Sequence, residues 1–227
     1  RSSQNWISGA TLKDAAFIPP HHSDMPDLLN DLESFLNNDN INVPHLIKIA
    51  IAHYQFETIH PFLDGNGRVG RLLITLYLVA NNLIKKPTLY LSDFFEKNRQ
   101  LYYDNLTIVR TKNDLTQWIK FFLTGVIETS KYGVDTFQKI LKLRTEVEDK
   151  IIITLGRRLP LAKNAINYLY RYPIINLGDL IDELGVSKQT ANTMISELVK
   201  LKILYEVTGQ KRNRMYVFQD YINLFRK

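Results

Sequence analysis

Apolar residues recur at intervals of three and four over most of the first 155 positions, a spacing that is typical of amphipathic helices. One such series follows Arg68: Val69, Leu72, Leu73, Leu76, Tyr77 and Ala80. The pattern predicts helices near residues 26–37, 44–58, 68–83, 93–110 and 114–154, the last interrupted near Gly133. We therefore expect this part of the chain to be mainly α-helical.

The segment up to Pro20 has a different pattern, because its apolar residues are scattered among small ones. The pair Pro19-Pro20 closes it, and proline removes a backbone donor and ends regular pairing. We expect a β-hairpin or irregular flap here. The alternative is a plain surface loop.

The last third of the chain predicts three short helices followed by two strands. The helices fall at 161–170, 177–184 and 188–201, and Ser187 is placed to cap the third. Alternating residues at 203–207 and 214–218 predict strands on either side of a polar tip at 209–213. This order is that of a small C-terminal winged helix-turn-helix domain. We therefore expect two domains, at residues 1–155 and 158–227.

Composition adds a charge difference between these two parts. The chain has 227 residues, 45% of them hydrophobic, and a formal net charge of +6. Residues 1–157 hold 18 basic and 17 acidic side chains, whereas residues 158–227 hold 11 and 6. An excess of positive charge on a helix-turn-helix domain is compatible with DNA binding, for which the candidate residues are Lys188, Gln189, Lys211 and Arg212. Docking of a protein is the competing interpretation.

Two other features of the sequence bear on the cellular location of the protein and on membrane association. The chain has no cysteine, so disulfides and thiolate zinc sites are impossible, and a cytoplasmic location is predicted. No run of eighteen apolar residues occurs, so we expect no membrane partner.

Residues that could bind a ligand or take part in catalysis are most concentrated at residues 60–71. The sequence there is His-Pro-Phe-Leu-Asp-Gly-Asn-Gly-Arg-Val-Gly-Arg. If a helix opens here, the turn Gly65-Asn66-Gly67 lies at its N-terminus, where backbone N–H groups and the helix dipole favour a phosphate. Arg68 and Arg71 can then both bind phosphate oxygens from one helix face. Asp64 could hold Mg²⁺ beside those phosphates. His60 can accept a proton near neutral pH.

Three other interpretations apply to this stretch. Gly65, Gly67 and Gly70 also satisfy the dinucleotide-binding pattern G-x-G-x-x-G, but that pattern needs a preceding strand, and residues 44–59 have helical spacing. A P-loop would need Gly-Lys-Ser/Thr, which does not follow. A structural glycine turn beside a core histidine is the third alternative.

The motif resembles that of the Fic (filamentation induced by cAMP) family, His-x-Phe-x-Asp/Glu-Gly-Asn-Gly-Arg-x-x-Arg. Every defined position is met, by His60, Phe62, Asp64, Gly65, Asn66, Gly67, Arg68 and Arg71. Further stretches similar to bacterial Fic proteins with an extra C-terminal domain lie at residues 1–7, 17–20, 53–59, 89–92 and 102–103. The resemblance thus covers roughly residues 1–155.

The resemblance implies a Mg²⁺-dependent protein adenylyltransferase, which moves AMP from ATP to a Ser, Thr or Tyr hydroxyl of a protein and releases pyrophosphate. His60 would then be the base, Asp64 the metal ligand, and residues 65–68 with Arg71 the phosphate site. Doc-like kinases of this family have lysine where Gly67 stands, so Gly67 favours AMP transfer over phosphorylation.

The resemblance also implies two less specific sites. Asn98 and Tyr102 are candidate nucleoside contacts, for which an amphipathic helix face is an equal alternative. Ala16, Phe17 and Ile18 are candidates for a flap that pairs with the backbone of the target.

Partners and control follow from the same resemblance. The expected partners are ATP, a protein with a hydroxyl side chain, this protein itself through self-modification, and DNA through the winged helix. The alternative function is a DNA-binding regulator whose Fic part is inactive or secondary. Many Fic proteins carry an inhibitory Ser/Thr-x-x-x-Glu-Gly/Asn helix; only its first part is matched, at residues 193–197, so we expect that element to precede Arg1.

Overall fold

A computed structural model describes residues 1–86 and 88–226 and divides into two compact units, Arg1–Gly133 and Val134–Lys227. The predicted mainly α-helical class is confirmed. Within the described residues, no helix is both long enough and apolar enough to cross a lipid bilayer.

Six helices account for most of the first unit. They are α1 (Met25–Asn37), α2 (His45–Ile59), α3 (Asn66–Ala80), α4 (Leu91–Lys97), α5 (Arg99–Lys112) and α6 (Leu115–Leu155). Their apolar faces enclose a core in which Trp118 and Phe122 are fully buried. The indole nitrogen of Trp118 donates to the carbonyl oxygen of Ala50 at 2.8 Å, so α6 is held against α2 through a buried polar group as well as by packing.

Three predicted helix limits in this unit are corrected. The helix expected at 93–110 is two helices, because the backbone leaves helical geometry at Asn98 (φ −110°, ψ 35°). The helix expected to open at Arg68 begins at Asn66, after Gly65 in a left-handed conformation (φ 86°). The interruption expected near Gly133 is wrong, since α6 is continuous through it. One glycine costs a helix only about 1 kcal/mol, which the 41-residue helix tolerates.

The N-terminal segment forms a loop with one bridge instead of a hairpin of two paired strands. Ile7 and Phe17 are the bridge partners, and the Ile7 N–H donates to the Phe17 carbonyl at 2.9 Å. The irregular alternative therefore describes this segment better, because the chain between the two residues makes local turns around Asp14.

The second unit contains four further helices and one small sheet. The helices are α7 (Leu159–Arg171), α8 (Leu177–Leu184), α9 (Lys188–Lys200) and α10 (Gln219–Asn223). The strands β1 (Ile174–Asn176), β2 (Tyr205–Glu206) and β3 (Met215–Val217) form an antiparallel sheet in the order β1-β3-β2. Neither β1 nor α10 was predicted. Ser187 caps α9 as predicted, with its hydroxyl accepting from the Thr190 N–H at 3.2 Å.

Along the chain, the division between the two compact units falls inside α6, between Gly133 and Val134. Val147, Ile151 and Leu155, near the end of α6, belong to the core of the second unit. The domain limits 1–155 and 158–227 stay predictions. The winged-helix assignment of residues 158–227 stays a prediction.

Two glycines of α6 give a matched test of how closely α6 packs against α4. A Cβ added at Gly125 would lie 2.5 Å from Cδ1 of the buried Phe94 ring, whereas one added at Gly133 would meet nothing within 4 Å. We predict that Gly125→Ala lowers the free energy of unfolding by about 1–3 kcal/mol. Gly133→Ala should raise it by about 0.5–1 kcal/mol, because alanine is the better helix former. Urea unfolding of both variants checks this, and equal effects of the two changes would contradict it.

Candidate active site

The loop between α2 and α3 is shaped by two left-handed residues and closed by one amide. His60 ends α2 at φ 50°, ψ 60°, and Gly65 (φ 86°) starts α3. The Phe62 N–H donates to Oδ1 of Asn66 at 2.8 Å, and Nδ2 of Asn66 donates to the Phe62 carbonyl at 2.7 Å. The side chain of Asn66, which is 3% exposed, thus pairs with a loop backbone as a strand would. These bonds hold the six loop residues, 60–65, in one compact turn.

His60 is half-buried in this loop, and two amides meet its ring. Nδ2 of Asn5 lies 2.9 Å and Nδ2 of Asn66 3.2 Å from its Nδ1. Burial lowers the pKa of His60 below its ordinary value, and the positive charges of Arg1 and Arg110 lower it further. His60 is therefore neutral near pH 7, as a general base has to be.

The N-terminus of α3 lies at the end of the loop that contains His60. Its first internal hydrogen bond runs from the Val69 N–H to the Gly65 carbonyl at 3.0 Å, so the N–H groups of residues 66 to 68 precede it at the open end of the helix. Because the side chain of Asn66 is engaged in the loop, its backbone N–H is the group that a phosphate could use. The structure thus brings the predicted phosphate residues together.

Both motif arginines fold back over the glycines. A Cβ added at Gly65 would lie 3.3 Å from NH2 of Arg68, and one added at Gly67 would lie 3.1 Å from NH1 of Arg71. The missing side chains therefore leave room for two guanidinium groups beside the helix N-terminus. Arg68 also pairs with Asp64 at 3.1 Å, but both side chains are well exposed, so this ion pair contributes little to stability.

A cavity of about 370 Å³ opens next to the two arginines. Its other lining residues are Leu72, Thr75 and the stretch Leu89–Ser92. It combines cations, hydroxyl groups and apolar surface, the mixture expected of a small-molecule pocket. Residues 89–92 were singled out by the resemblance without a role, and Thr75 was missed.

Buried polar groups hold α3 beneath this site. Nδ1 of His53 donates to the Gly70 carbonyl at 2.9 Å, and Nε2 accepts from the Tyr102 hydroxyl at 3.0 Å. His53 is fully buried, and burial lowers its pKa to about 4, so it stays neutral. His53 therefore has a structural role, because it links α2 to the backbone of α3 and to Tyr102 of α5.

Glu57 lies in the same layer, one helical turn after His53. Burial raises its pKa to about 7, although Arg71 and Arg110 act in the opposite direction. Its Oε1 is 4.0 Å from Nε2 of His53 and has no hydrogen-bond partner among the described residues. A Cβ at Gly70 would lie 2.5 Å from this oxygen, so glycine is needed there for the close approach of α2 and α3.

The predicted nucleoside contacts are placed differently from one another. Tyr102 is 5% exposed and its hydroxyl bonds to His53, so the helix-face alternative accounts for it. Asn98 lies between α4 and α5, and its side chain donates to the Phe94 carbonyl at 2.9 Å. Asn98 is half-buried, and its role toward a nucleoside stays a prediction.

The predicted flap residues lie on the bridged N-terminal loop. Ala16 and Ile18 are exposed, and the Ala16 N–H donates to the Ile7 carbonyl at 3.0 Å. The guanidinium carbon of Arg110 lies 3.7 Å from the centroid of the Phe17 ring. This cation–π contact ties the loop to α5.

A metal ion would have one protein carboxylate here. Asp64 precedes the phosphate turn and is exposed, and Mg²⁺ commonly binds one or two carboxylates together with phosphate oxygens. The residues present fit that donor set. The part of the chain that the structure describes contains no cluster of three or more acidic, histidine or cysteine side chains that would hold a metal unaided.

The candidate DNA-binding residues all lie on the surface of the second unit. Lys188 and Gln189 open α9, and with Asn192, Thr193 and Ser196 they line a shallow depression. Lys211 and Arg212 are exposed in the loop between β2 and β3.

Sequence reasoning missed the residues that support the motif from outside it. Asn5 contacts the ring of His60, and the side chain of Arg1 donates to the carbonyl oxygens of Ile59, at 3.4 Å, and His60, at 3.2 Å. Arg110 reaches the site from α5. The only signal for Arg1 and Asn5 was the similarity of residues 1–7 to the family, which assigned them no role.

Comparison with known proteins agrees with this geometry. Residues 2–78 match the Fic/DOC family. The protein adenylyltransferase Fic of Aedes aegypti is 33% identical over 122 residues, which is 53% of this chain and 22% of that protein. A probable protein adenylyltransferase of Aquifex aeolicus is 30% identical over 135 residues, which is 59% of this chain and 40% of that protein.

One solved structure has a fold that is similar to that of this chain. A Fic family protein from Desulfovibrio desulfuricans G20 superposes with a TM-score of 0.51 at 23% identity, over 96% of this chain and 61% of that one. The family match at residues 2–78 includes α2, α3 and the loop between them, which carries the motif. The chain spans less than half the length of each of these two relatives.

The two buried titratable groups beneath the loop predict opposite pH dependences of stability. Because its folded pKa is lowered from 6.5 to about 4, His53 contributes stability that is complete above pH 6.5 and is lost as the pH falls towards 4. Because its folded pKa is raised from 4.5 to about 7, Glu57 contributes stability that is complete below pH 4.5 and is lost as the pH rises through 7.

Glu57→Gln should therefore change the pH profile in one direction. Relative to the original chain, the variant should gain about 1.4 kcal/mol of unfolding free energy per pH unit between pH 4.5 and 7. Urea unfolding followed by tryptophan fluorescence measures this, since Trp6 and Trp118 both lie in the first unit. Glu33→Gln, which removes an exposed carboxylate of α1, is the control. Parallel profiles for Glu57→Gln and the original chain would contradict the assignment.

Proposed function

We propose that this protein is a protein adenylyltransferase, which transfers AMP from ATP to a hydroxyl side chain of a protein. The observation that carries the proposal is the placing of a neutral, half-buried His60 in the same loop as the open N-terminus of α3 and two arginines. A base and a phosphate site thus lie on one turn of chain. The names of the curated relatives support the same reaction.

The reaction assigns one task to each group. The hydroxyl oxygen of the target attacks the α-phosphorus of ATP, the bond from that phosphorus to the bridging oxygen breaks, and pyrophosphate leaves. His60 takes the hydroxyl proton. Backbone N–H groups at residues 66–68 and the guanidinium groups of Arg68 and Arg71 stabilise the charge on the phosphates. Residues 16–18 of the N-terminal loop, of which Ala16 and Ile18 are exposed, are the proposed contact with the target backbone.

Asp64 is the residue that would hold Mg²⁺. When bound, this ion would offset phosphate charge and fix the phosphate chain, as it does in other phosphoryl-transfer sites.

The direct test is His60→Ala, assayed by transfer of label from ATP to protein. We predict that the rate falls about 10²–10⁴-fold, the usual contribution of a positioned acid–base group, while the affinity for ATP changes little. The reason is that His60 ends α2 and is not part of the phosphate-binding helix N-terminus.

The matched control is His45→Ala. His45 lies at the other end of α2 and bonds the Tyr77 hydroxyl at 2.8 Å, away from the motif loop. This variant should keep its activity. A loss of ATP affinity in His60→Ala as large as the loss of rate would show that its role is wrongly assigned, and no labelling by the original chain would count against the enzyme.

A second candidate function, DNA binding by the second unit, is favoured by the exposed polar residues at the start of α9 and by the exposed cations of the β2–β3 loop. Each phosphate contacted should contribute about −0.9 to the slope of log affinity against log salt. We predict that replacing both Lys211 and Arg212 with alanine flattens this slope by up to about two units. Gel shifts on duplex DNA at several salt concentrations measure it, with Lys163→Ala on α7 as a control. No shift at low salt would favour a protein-docking role.

A further inference from the structure

Arg110 is a half-buried cation near the end of α5, and it belongs to none of the motifs of the chain. Its Nε is buried and has no hydrogen-bond partner among the described residues. Burial lowers the pKa of its guanidinium group, while Tyr54, Glu57 and Tyr102, which face it, act in the opposite direction. An arginine keeps its charge in such surroundings. A partly buried cation with an unpaired nitrogen calls for an explanation.

The guanidinium group of Arg110 lies over the ring of Phe17, which belongs to the N-terminal loop. The guanidinium carbon is 3.7 Å from the centroid of that ring. The attraction between a cation and an aromatic face is strongest where water is partly excluded, as it is around Arg110. The contact therefore joins the loop to the helices of the first unit.

Phe17 is also the residue at which the two sides of the loop pair. Its carbonyl accepts from the Ile7 N–H at 2.9 Å, and its own N–H donates to the Ile7 carbonyl at 3.3 Å. Ala16 and Ile18, the neighbours of Phe17 in the chain, are exposed. A contact that fixes Phe17 therefore also fixes the exposed residues on either side of it.

The same N-terminal segment contacts the loop of the proposed base. Nδ2 of Asn5 lies 2.9 Å from Nδ1 of His60 and donates to the Phe62 carbonyl at 3.1 Å. Arg110 is itself near enough for its charge to lower the pKa of His60. The segment is thus attached through Asn5 and through Phe17, and the residue that holds Phe17 lies near the proposed base.

We propose that Arg110 is a positioning residue for the protein target. Its contact with Phe17 holds residues 16–18 at a fixed place, so that a target segment that pairs with them brings its hydroxyl group to His60. Arg110 takes no part in the transfer of the proton or of AMP. This inference rests on the proposed adenylyltransferase activity and on the proposed flap contact.

The contact would act through the population of molecules in which the loop is docked on α5. When only a fraction of the molecules has the loop docked, the apparent affinity for a target falls by that fraction. The proposed phosphate site is built on α3 instead, so the affinity for ATP should not depend on the loop. Loss of the contact should therefore raise KM for the target and leave KM for ATP unchanged.

The first measurement is amide hydrogen exchange of the full chain, followed at the Ile7 N–H, which bonds to Phe17. In Arg110→Gln, this N–H should exchange about 5- to 30-fold faster, because a loop without its anchor opens more often. Arg110→Lys keeps the charge and should exchange more slowly than Arg110→Gln. Lys112→Gln removes an exposed cation from the same helix end and should leave the rate unchanged. The N–H of the buried Ile74 in α3 should exchange equally in every variant, which shows that the effect is local.

The second measurement is the transfer of labelled AMP from ATP to unfolded casein, an acceptor with many hydroxyl side chains in extended segments. Arg110→Gln and Phe17→Leu should each raise KM for casein about 5- to 30-fold without a change in KM for ATP. The double variant should be no worse than the poorer single variant, because both changes remove the same contact. Lys112→Gln should match the original chain.

Several results would overturn the proposal. They are an unchanged exchange rate of the Ile7 N–H in Arg110→Gln, exchange in Arg110→Lys that is as fast as in Arg110→Gln, and additive effects of the two single changes on KM for casein. A loss of transfer in Arg110→Gln that Phe17→Leu does not share would also overturn it, since Arg110 would then act on His60 directly. Amide exchange needs neither ATP nor acceptor. A chain without AMP transfer would therefore refute the proposed function, whereas unchanged exchange refutes the role of Arg110 alone.

Discussion

The pairing between the side chain of Asn66 and the backbone of Phe62 is the interaction on which the site depends. It consists of two short hydrogen bonds, at 2.8 and 2.7 Å, made by a residue that is almost wholly buried. These bonds close the turn between α2 and α3, present an amide to His60 and start α3 at a fixed direction. Breaking one of them would leave a buried polar group unpaired, at a cost of about 1–3 kcal/mol. The proposed base and the proposed phosphate site are therefore positioned by the same amide.

Beneath the turn, the approach of α2 to α3 is set by Gly70. Its carbonyl accepts from His53, and its lack of a side chain leaves room for Glu57. The two titratable groups respond to burial in opposite senses, since the neutral form is favoured in each: deprotonated in His53 and protonated in Glu57. Two neutral groups can share an apolar layer that would reject either one as an ion. This arrangement explains why His53 and Glu57, which precede the motif and could take part in acid–base chemistry, have a structural role instead.

Sequence reasoning located the motif well because local rules govern that stretch. The helical spacing before and after residues 60–71 predicted a helix, a turn and a helix, and the structure has them as α2, the loop and α3. It failed where partners are distant in sequence. Nothing local indicated that Asn5 would meet His60, that Arg110 would lie over Phe17, or that the hydroxyl of Tyr102 would be used by His53. Gly133 misled because its helix-breaking tendency is weak compared with a long helix on both sides.

The proposed binding of phosphate at the N-terminus of α3 can be tested residue by residue. The measurement is a titration of the ¹⁵N-labelled chain with ATP in the presence of Mg²⁺, followed through its backbone amide resonances. The largest shifts should fall on residues 66–68, because their N–H groups lie at the open end of the helix where the phosphates are proposed to bind. Equal shifts with adenosine, or shifts confined to residues outside this turn, would contradict it.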